Sequence, residues 1–537
     1  MRLLWASFVL LIHHVYCGRF LFLPSTLHPS HPLVISHLAN ELAKRGHQIE
    51  WIEFGPKESN QVTVKLNPAI KKHFYETSFE DESLHSLYVE KTHPHHTKVW
   101  QNDYEAENER TTGWLAGTRL CDNFLAKHKK EFDRLVHEKF DTLVVDDQFN
   151  PCGLLLAGLR GDVFVYWSMS AMRPESAWAN QSPNPPSYLP VPGTKLTEDL
   201  SFFKRSFNLV AYLKALYTHQ HIIQPRIDAV FQKYYKGAAS AFDLERNASI
   251  NLVNTPPIFD FARPFMPRVN FVGGLHAKNA SELHGTLGMF VDEAEEGFML
   301  VTSGLELDWG KAPSFLKEAF IGAFQAHPRL RFIWQYNGPE IELLPVNVFT
   351  TPFLPQQDLL GHKKCKAHIT VGGLNSVIES VWHGKPMIGL PLTVHNYDNV
   401  LRVSSRGAGI LIPKQNLQLG TLKKAITNIQ KKKYSDEMAI FQDMVRDVPY
   451  TELTHAAFWV EFIERHHEVP HARSGADKLN IFQYFLVDVL AFLASIVLLI
   501  IATVLLVIRT IFRLLMGLLR RLFGRSTPAV TKEKKRN

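Results

Sequence analysis

The chain of 537 residues is 45% hydrophobic and 11% aromatic, a composition typical of globular proteins that excludes intrinsic disorder. Its length exceeds what one hydrophobic core supports, so we expect two domains with accessory segments. The net charge of +7 comes from the last segment, because residues 509–537 carry nine Lys and Arg against one acid and leave −1 for the remainder. This nearly neutral globular part excludes nucleic acid as a partner.

The first seventeen residues are typical of a secretory signal peptide. Arg2 precedes an apolar run, Leu3–Ile12, and small or neutral residues follow as far as Cys17. We expect residues 1–17 to be removed and the mature chain to start near Gly18.

A βαβ unit opens the predicted N-terminal domain. Arg19–Leu23 is predicted as a strand, a helix starts at Pro32 and ends before Gly46, and Gln48–Phe54 returns as a second strand. This order is the start of a Rossmann-like half. Further along the chain, the predicted elements are strands at Phe140–Val145 and Val163–Trp167 and a proline-rich surface loop at Pro183–Pro192.

A second alternating region follows a proline-broken linker, residues 256–297. The predicted elements are strand Phe298–Thr302, helix Pro313–Ala326, strand Arg331–Gln335, strand Ala367–Thr370, helix Ser376–His383 and strand Met387–Leu390. The predicted fold class is therefore α/β, with two Rossmann-like doubly wound domains facing a cleft. These domains cover residues 18–255 and 298–450, and residues 451–488 add C-terminal helices.

One segment near the end is predicted to span a membrane. Residues 489–508 contain no charge and are long enough to cross about 30 Å of hydrocarbon. The basic tail 509–537 is then cytosolic by the positive-inside rule, and the bulk of the chain is lumenal, in type I topology. Lys534 and Lys535 resemble the dilysine signal that returns membrane proteins to the endoplasmic reticulum; the alternative is a solvated basic tail.

Three cysteines lie beyond the signal peptide, at Cys121, Cys152 and Cys365. Their odd number and wide spacing, without Cys-x-x-Cys, indicate neither a disulfide framework nor a zinc site. The sequons at Asn247 and Asn279 predict exposed loops that carry glycans in a lumenal glycoprotein.

Residues 353–402 contain the pattern most informative about function. A buried strand leads into a Gly372-Gly373 turn, the small polar residues Asn375 and Ser376 follow, and a second apolar run is closed by prolines. A strand that leads through a glycine turn into a helix presents free backbone N–H groups and a positive helix end. The pattern predicts a nucleotide site with a diphosphate cradle.

The same stretch contains Leu-Pro-Gln, Asp-Leu-Leu-Gly-His, Gly-Gly-x-Asn-Ser-x-x-Glu, His-Gly-x-Pro and Asp-Asn-x-x-Arg. This spacing resembles the signature of UDP-glycosyltransferases, specifically the membrane-bound animal UDP-glucuronosyltransferase-like enzymes. The resemblance covers nearly all of residues 19–510 and implies the two-domain fold called GT-B. It implies transfer of glucuronic acid or glucose from a UDP-sugar to a small lipophilic hydroxyl or amine, with inversion at the sugar carbon. The UDP-sugar is then a co-substrate, and neither a cofactor nor a metal is expected.

Sugar transfer onto a hydroxyl requires a base, and histidine is the usual one because its pKa lies near neutrality. His31 stands at the junction of loop and helix after the first strand, where open α/β sheets bind ligands. It is also similar in spacing to the family's catalytic histidine. His28 is the alternative base, and His37 is interpreted as structural.

A carboxylate must orient the histidine ring and stabilise the imidazolium. Asp147 resembles the family's catalytic aspartate by its spacing to Pro151-Cys152, whereas spacing from Phe140 favours its neighbour Asp146. We predict Asp147, with Asp146 as the rival and a helix cap or surface pair as the structural alternative.

The resemblance also implies the donor site. Residues that match family positions for the base, the phosphates and the ribose hydroxyls are Thr302, Gln356, Gly372, Gly373, Asn375, Ser376 and Glu379. A carboxylate such as Glu379 can accept hydrogen bonds from two ribose hydroxyls.

Several donor positions depart from the family pattern. Phe353 replaces the tryptophan that stacks on uracil, and Leu305 replaces a serine. Val371 replaces the diphosphate-binding histidine, a loss of about 1.5–3 kcal/mol. His395-Asn396 replaces the Asp-Gln pair that reads the sugar hydroxyls. These departures leave a second interpretation open, a catalytically impaired homologue that acts as a binding or regulatory partner.

Overall fold

The structure is a computed structural model that describes residues 17–56, 64–101, 103–104, 106–305 and 307–524. Of residues 106–110, the backbone alone is described. Apart from Cys17, the predicted signal peptide lies outside these residues, as does the dilysine tail. The chain divides into two compact units, which meet in sequence between Arg473 and Ser474.

A parallel sheet forms the core of the first half of unit one. Its strands are β1 (Arg19–Leu23), β2 (Gln48–Gly55), β3 (Lys71–Glu76), β4 (Thr142–Asp146), β5 (Phe164–Ser168), β6 (Ile250–Val253) and β7 (Val269–Phe271). The order is β3-β2-β1-β4-β5-β6-β7. The helices are α1 (Ser30–Lys44), α2 (Glu82–Tyr88), α3 (His95–Lys98), α4 (Ala106–Lys127), α5 (Lys129–His137), α6 (Pro151–Arg160), α7 (Pro174–Ala179), α8 (Phe202–Thr218), α9 (Gln224–Tyr234) and α10 (Ala241–Arg246). A π-helical turn, His219–Ile223, joins α8 to α9.

A second parallel sheet forms the core of the other half. Its strands are β8 (Phe298–Thr302), β9 (Arg331–Gln335), β10 (Val348–Thr351), β11 (Cys365–Thr370), β12 (Met387–Gly389) and β13 (Gly409–Leu411). The order is β10-β9-β8-β11-β12-β13. The helices are α11 (Gly285–Asp292), α12 (Ser314–Gln325), α13 (Gln356–Gly361), α14 (Leu374–Trp382), α15 (Val394–Ser404), α16 (Leu419–Ile429), α17 (Lys432–Arg446) and α18 (Glu452–His466).

Strand order reverses between β1 and β4 in the first sheet and between β8 and β11 in the second. Crevices at the carboxyl ends of such strands are where doubly wound sheets bind ligands. The predicted fold class, two Rossmann-like α/β domains, is confirmed. The bounds of β1, β8 and β9 are as predicted.

Five strands were not predicted from the sequence: β3, β6, β7, β10 and β13. β3 has the sequence KKHFYE and lies at an exposed sheet edge, so it lacks the apolar run of a buried parallel strand. β7 lies inside the range predicted as linker and pairs with β6, which extends the first sheet to Phe271.

Helix α18 returns from the second half to cover the first sheet. Its apolar residues, among them Ala456, Val460 and Ile463, are buried in one cluster with Phe20 of β1 and Leu38 of α1. The C-terminal helix therefore ties the two halves of unit one together.

A disulfide joins Cys121 of α4 to Cys152 of α6. The expectation that the cysteines form no disulfide was wrong, because this pairing depends on the tertiary approach of two helices and not on sequence spacing. The remaining cysteine of the first unit's interior, Cys365, is free and buried. Asn247 and Asn279 of the two sequons are exposed.

Unit two contains a 3₁₀ turn (Gly475–Lys478), α19 (Ile481–Tyr484) and α20 (Val487–Phe523). Helix α20 has 37 residues and is long and apolar enough to cross a membrane. It includes the whole predicted span 489–508. At about 1.5 Å per residue its length is about 55 Å, more than the hydrocarbon thickness of about 30 Å.

Candidate active site

His31 lies in the first turn of α1, beside the carboxyl ends of β1 and β4. Its Nδ1 is 2.7 Å from Oδ2 of Asp146, and both side chains are buried. Asp146 also accepts hydrogen bonds from the backbone N–H groups of Ser25 (3.2 Å) and Gln148 (3.1 Å). As a carboxylate only accepts, Nδ1 of His31 carries the proton, and Nε2 holds the lone pair that a base needs.

The prediction that Asp147 orients His31 is wrong in its geometry. Successive side chains at a strand end point to opposite sides, so only one member of the Asp pair can face α1. Asp147 faces β5 and α7 instead, where it accepts hydrogen bonds from Arg173 (3.2 Å), Ser176 (3.2 Å) and Ser168. Burial raises the pKa of Asp147, although Arg173 opposes the shift.

Aromatic rings surround His31 on the side of the N-terminal sheet. The ring centroid of Phe149 is 6.4 Å from that of His31, and that of His28 is 6.0 Å away. Trp114 contacts Phe149 in turn, at 5.6 Å, and His219 at 5.3 Å. Phe149 and Trp114, which the sequence did not single out, form an apolar wall next to the candidate base.

Other aromatic residues of the first half differ in their exposure. Phe202 and Phe203 are exposed at the start of α8, by 67% and 82%, and Trp178 is buried in α7. His37 lies two turns along α1 from the site. Burial and the neighbouring His276 lower its pKa to about 4.

The second candidate subsite is the N-terminus of α14. Gly373 is its N-cap, and no side chain caps the helix. Gly372 has a φ of +86°, and a Cβ there would lie 2.4 Å from Val400, so the turn requires glycine. Nothing lies within 4 Å of a Cβ built at Gly373, so open space adjoins the uncapped N–H groups. This arrangement suits an anion.

Polar side chains gather beside this helix end. Nε2 of Gln356 donates to Oε2 of Glu379 (2.6 Å) and to Oγ of Ser376 (3.1 Å). Nε2 of His276 lies 3.3 Å from Oε1 of Glu379. Asn375 accepts a hydrogen bond from Asn254, which follows β6 of the other half, at 3.2 Å. Four predicted donor residues are thus brought together at one helix end.

Thr302 is buried at the end of β8, where its hydroxyl contacts a buried histidine. Its Oγ1 lies 2.8 Å from Nε2 of His368, whose Nδ1 lies 2.6 Å from Oγ of Ser380. Burial lowers the pKa of His368 to about 3, so this imidazole is neutral. The hydrogen-bonded series Thr302–His368–Ser380 couples β8, β11 and α14, and no sequence motif marks His368.

Val371 does not face open solvent at the diphosphate cradle. It is 8% exposed and belongs to an apolar cluster with Trp309, Leu390 and Leu392, which Trp100 of the first half joins. The cavity among these side chains has a volume of about 10 Å³, room for about one water molecule at most. Apolar side chains therefore enclose this position.

The other predicted donor residues lie at the margins. Phe353 follows β10 and is 65% exposed. Leu305 follows β8 and is half-buried. His395 and Asn396 occupy the first turn of α15, which is capped by the Thr393 hydroxyl accepting from the Asn396 N–H at 3.3 Å.

Segments of the first half cross onto the carboxyl edge of the second sheet. Tyr104 donates from its hydroxyl to the Pro391 carbonyl (3.0 Å), and Nζ of Lys414 donates to the Val99 carbonyl (3.1 Å). The Asp398 carboxylate accepts from the backbone N–H groups of Gly193 and Lys195. Sequence reasoning missed all of these contacts, because each depends on how the two halves meet.

These two facing Rossmann-like halves, with a histidine–aspartate pair in one and an uncapped helix end in the other, define a GT-B glycosyltransferase. The calicheamicin glycosyltransferase CalG4 matches 84% of this chain and 100% of its own, with a TM-score of 0.58 and 17% identity. A UDP-glucosyltransferase from Polygonum tinctorium that glucosylates indoxyl gives a TM-score of 0.57 and 18% identity, over 84% of this chain and 99% of its own.

Sequence comparison defines the family. The profile of the family described as UDP-glucoronosyl and UDP-glucosyl transferase matches residues 18–522, so the chain belongs to this family and is a glycosyltransferase. Human UDP-glucuronosyltransferase 2B17 is 29% identical over 89% of this chain and 90% of its own. Rat 2-hydroxyacylsphingosine 1-beta-galactosyltransferase is 28% identical over 91% of this chain and 86% of its own.

Proposed function

We propose that the chain transfers a hexosyl group, glucuronic acid or glucose, from a UDP-sugar to the hydroxyl or amine of a small lipophilic acceptor. The observation that carries this proposal is the 2.7 Å contact of His31 with Asp146 at the switch point of the first sheet. The aromatic wall of Phe149 and Trp114 supports a lipophilic acceptor. One relative is described as acting on 2-hydroxyacylsphingosine, which is itself lipophilic.

His31 is the general base of the proposed reaction. Nε2 removes the acceptor proton while the acceptor oxygen bonds to the anomeric carbon of the sugar. The bond from that carbon to the UDP oxygen breaks on the opposite side, which inverts the configuration. Asp146 holds the ring in the required tautomer and stabilises the imidazolium that forms, since its carboxylate already accepts the Nδ1 proton.

The departing UDP carries the negative charge that develops. The uncapped N-terminus of α14, with Gly373 and Ser376, offers backbone N–H groups and a positive helix end to the diphosphate. Glu379 accepts hydrogen bonds from the ribose hydroxyls. Gln356, which bonds to Glu379 in the structure, turns to bind the uracil base. The UDP-sugar is a co-substrate in this scheme, and the chain's own side chains supply the acid–base chemistry.

Residues at the start of α15 bind the hydroxyls of the donor sugar. Asn396 keeps an amide that donates and accepts, whereas His395 lacks the two acceptor oxygens of a carboxylate. This pair and the apolar Val371 distinguish the donor pocket from the family pattern. A panel of UDP-glucuronic acid, UDP-glucose and UDP-galactose, offered with phenols and lipid alcohols, tests the proposal by mass spectrometry of the products.

The apolar Val371 favours a second candidate function, that of a homologue that binds a partner and has lost most of its catalytic activity. An apolar side chain in a filled pocket cannot donate to a phosphate oxygen. Calorimetric titration separates the two candidates. UDP binding at micromolar to millimolar concentration supports the enzyme, and no binding at millimolar UDP supports the partner.

We propose that the protein is a type I protein of the endoplasmic reticulum membrane with its catalytic part in the lumen. The apolar helix Val487–Phe523 and the relatives' class support membrane anchoring. Glycosidase sensitivity of Asn247 and Asn279, with protease digestion of the tail in sealed microsomes, tests the topology. Glycans on the tail side would contradict it.

A further inference from the structure

A buried carboxylate without a partner lies where the chain enters the fold. Glu464 in α18 is 3% exposed, and among the residues that the structure describes neither of its oxygens has a hydrogen-bond partner. A Cβ atom at position 18 would lie 2.6 Å from Oε1 of Glu464. Glycine is therefore the residue that fits here, and the carboxylate lies against the backbone of Gly18.

Among the residues that the structure describes, acidic groups outweigh basic ones around Glu464. Burial and the nearby carboxylates of Asp141 and Glu461 raise the pKa of Glu464 to about 7, against the opposing charge of Arg465. An ionised carboxylate that is buried without a partner is costly. A positive group at Gly18 would remove this cost.

The backbone nitrogen of Gly18 already lies among polar partners. It donates to Nδ1 of His47 at 3.0 Å, and Nε2 of His47 lies 3.2 Å from Oε1 of Glu461. Nδ1 of His47 therefore accepts, while its Nε2 carries the proton. The nitrogen of Gly18 thus donates to an imidazole lone pair, and the Glu464 carboxylate lies beside the same residue's backbone.

The chain passes from solvent into the fold at this point. Cys17 is exposed and Gly18 is buried. In the sequence, the apolar Val15 and the small Cys17 occupy the positions before the bond where secretory signal peptides are cut. The matched family profile also begins at residue 18.

Where the signal peptide is removed between Cys17 and Gly18, as the sequence leads us to expect, we propose that the new α-ammonium group of Gly18 forms a buried ion pair with Glu464. A signal peptidase of the secretory compartment catalyses the step. Water adds its hydroxyl to the carbonyl carbon of Cys17, the C–N bond breaks, and the nitrogen of Gly18 takes up the protons. Cys17 leaves as the carboxylate end of the released peptide.

An ammonium satisfies this site better than an amide does. It has three N–H donors, of which one can keep the bond to His47 and two can reach Glu464. Charge-assisted hydrogen bonds of this kind are the strong ones. Maturation therefore completes the interior between β1 and α18, and it does so independently of the sugar-transfer reaction.

The first test is the N-terminus of the full chain, expressed in cells with a secretory pathway and purified from their membranes. We expect mass spectrometry to find Gly18 as the first residue. Any other first residue would overturn the proposal, because the ammonium would then lie away from Glu464.

The second test is the reactivity of the α-amine toward acetic anhydride at pH 7, in the wild type and in Glu464→Gln. Pairing holds the amine in its protonated form, so acylation should be about tenfold faster in the variant, as for a pKa difference of about one unit. Glu468→Gln is the matched control, since Glu468 is exposed and pairs with Arg473. Equal rates in all three proteins would refute the ion pair.

The direction of the change in Tm distinguishes an ion pair at Glu464 from a buried carboxylate without a partner. If the ion pair forms, Glu464→Gln lowers the Tm of the mature protein at pH 7.5. If Glu464 stays unpaired, removing its charge raises the Tm, which would contradict the proposal. Should the variant fail to accumulate, acylation of the folded wild type is compared with that of the urea-unfolded wild type; equal rates there would also overturn it.

Discussion

Asp146 and Asp147 are consecutive, yet they serve different parts of the molecule. Asp146 bonds to His31 at 2.7 Å, whereas Asp147 is buried with Arg173. We expect Asp146→Asn to lower kcat by about 10²–10⁴-fold, because the ring loses its orienting acceptor, with little change in KM for the UDP-sugar. Steady-state kinetics measure both constants.

Asp147→Asn is the matched comparison. It removes one of the two carboxylates that pair with the buried Arg173 guanidinium and leaves Glu175, so it should lower the Tm and affect kcat less than Asp146→Asn. A larger kcat loss in Asp147→Asn at unchanged Tm would return the orienting role to Asp147.

Val371 tests whether the donor cradle can be restored to the family pattern. From the sequence, Val371→His could either raise turnover about tenfold or overpack the pocket. The filled cluster around Trp100 and Trp309 favours overpacking, so we expect a loss of about 1–3 kcal/mol in the free energy of unfolding without a gain in turnover. Denaturant unfolding and initial rates measure the two effects. A tenfold gain in rate at unchanged stability would contradict this view.

At the scale of elements, the strand–turn–helix unit β11–α14 positions the proposed donor residues. Glu379 lies one turn into α14, within reach of Gln356 and Ser376. Glu379→Gln should weaken UDP binding about 10- to 100-fold, since a hydrogen bond to a charged group contributes about 1.5–3 kcal/mol. Isothermal titration calorimetry measures the dissociation constant.

The control for this change is Glu340→Gln, at an exposed position in the loop before β10. It should leave the dissociation constant for UDP unchanged. Equal affinities of wild type and Glu379→Gln would exclude Glu379 from the donor site.

The sequence predicted elements well where burial imposes a clear pattern. β8 (FMLVT) and β9 (RFIWQ) are apolar runs, and their predicted bounds match the structure. The glycine turn before α14 was also found, because Gly372 must adopt a positive φ. The choice within the Asp146-Asp147 pair was not predictable, since it depends on which side of the sheet α1 covers.

At the scale of the whole molecule, the two halves of unit one meet through Asp398. Its carboxylate accepts hydrogen bonds from the backbone N–H groups of Gly193 and Lys195. Burial raises the pKa of Asp398 to about 6. Because the pKa of Asp398 is higher in the folded protein than in the unfolded chain, the protonated carboxyl stabilises the fold at low pH. This stabilisation is lost as the pH rises through about 6. Between pH 5 and 7.5 the wild type should lose about 1–2 kcal/mol relative to Asp398→Asn.

Denaturant unfolding of both proteins across that pH range measures the difference. A difference that does not change with pH would show that Asp398 stays ionised in the folded protein.

Contacts between the halves were the part of the site least accessible from sequence. Trp100 and Tyr104 of the first half reach the edge of the second sheet, about two hundred to three hundred residues away in the chain. No local period or motif marks such partners. The disulfide between Cys121 and Cys152 escaped prediction for the same reason.

In the proposed reaction His31 is the base that removes the acceptor proton. The decisive measurement is the initial rate of glycoside formation by purified full-length wild type, His31→Ala and His85→Ala, with the UDP-sugar and acceptor found in the panel. His85 is a partly exposed histidine of α2 that pairs with Glu90, and it serves as the control. We expect wild type and His85→Ala to form product at equal rates and His31→Ala to be slower by at least about 10²-fold. A His31→Ala rate equal to that of the wild type would contradict the account.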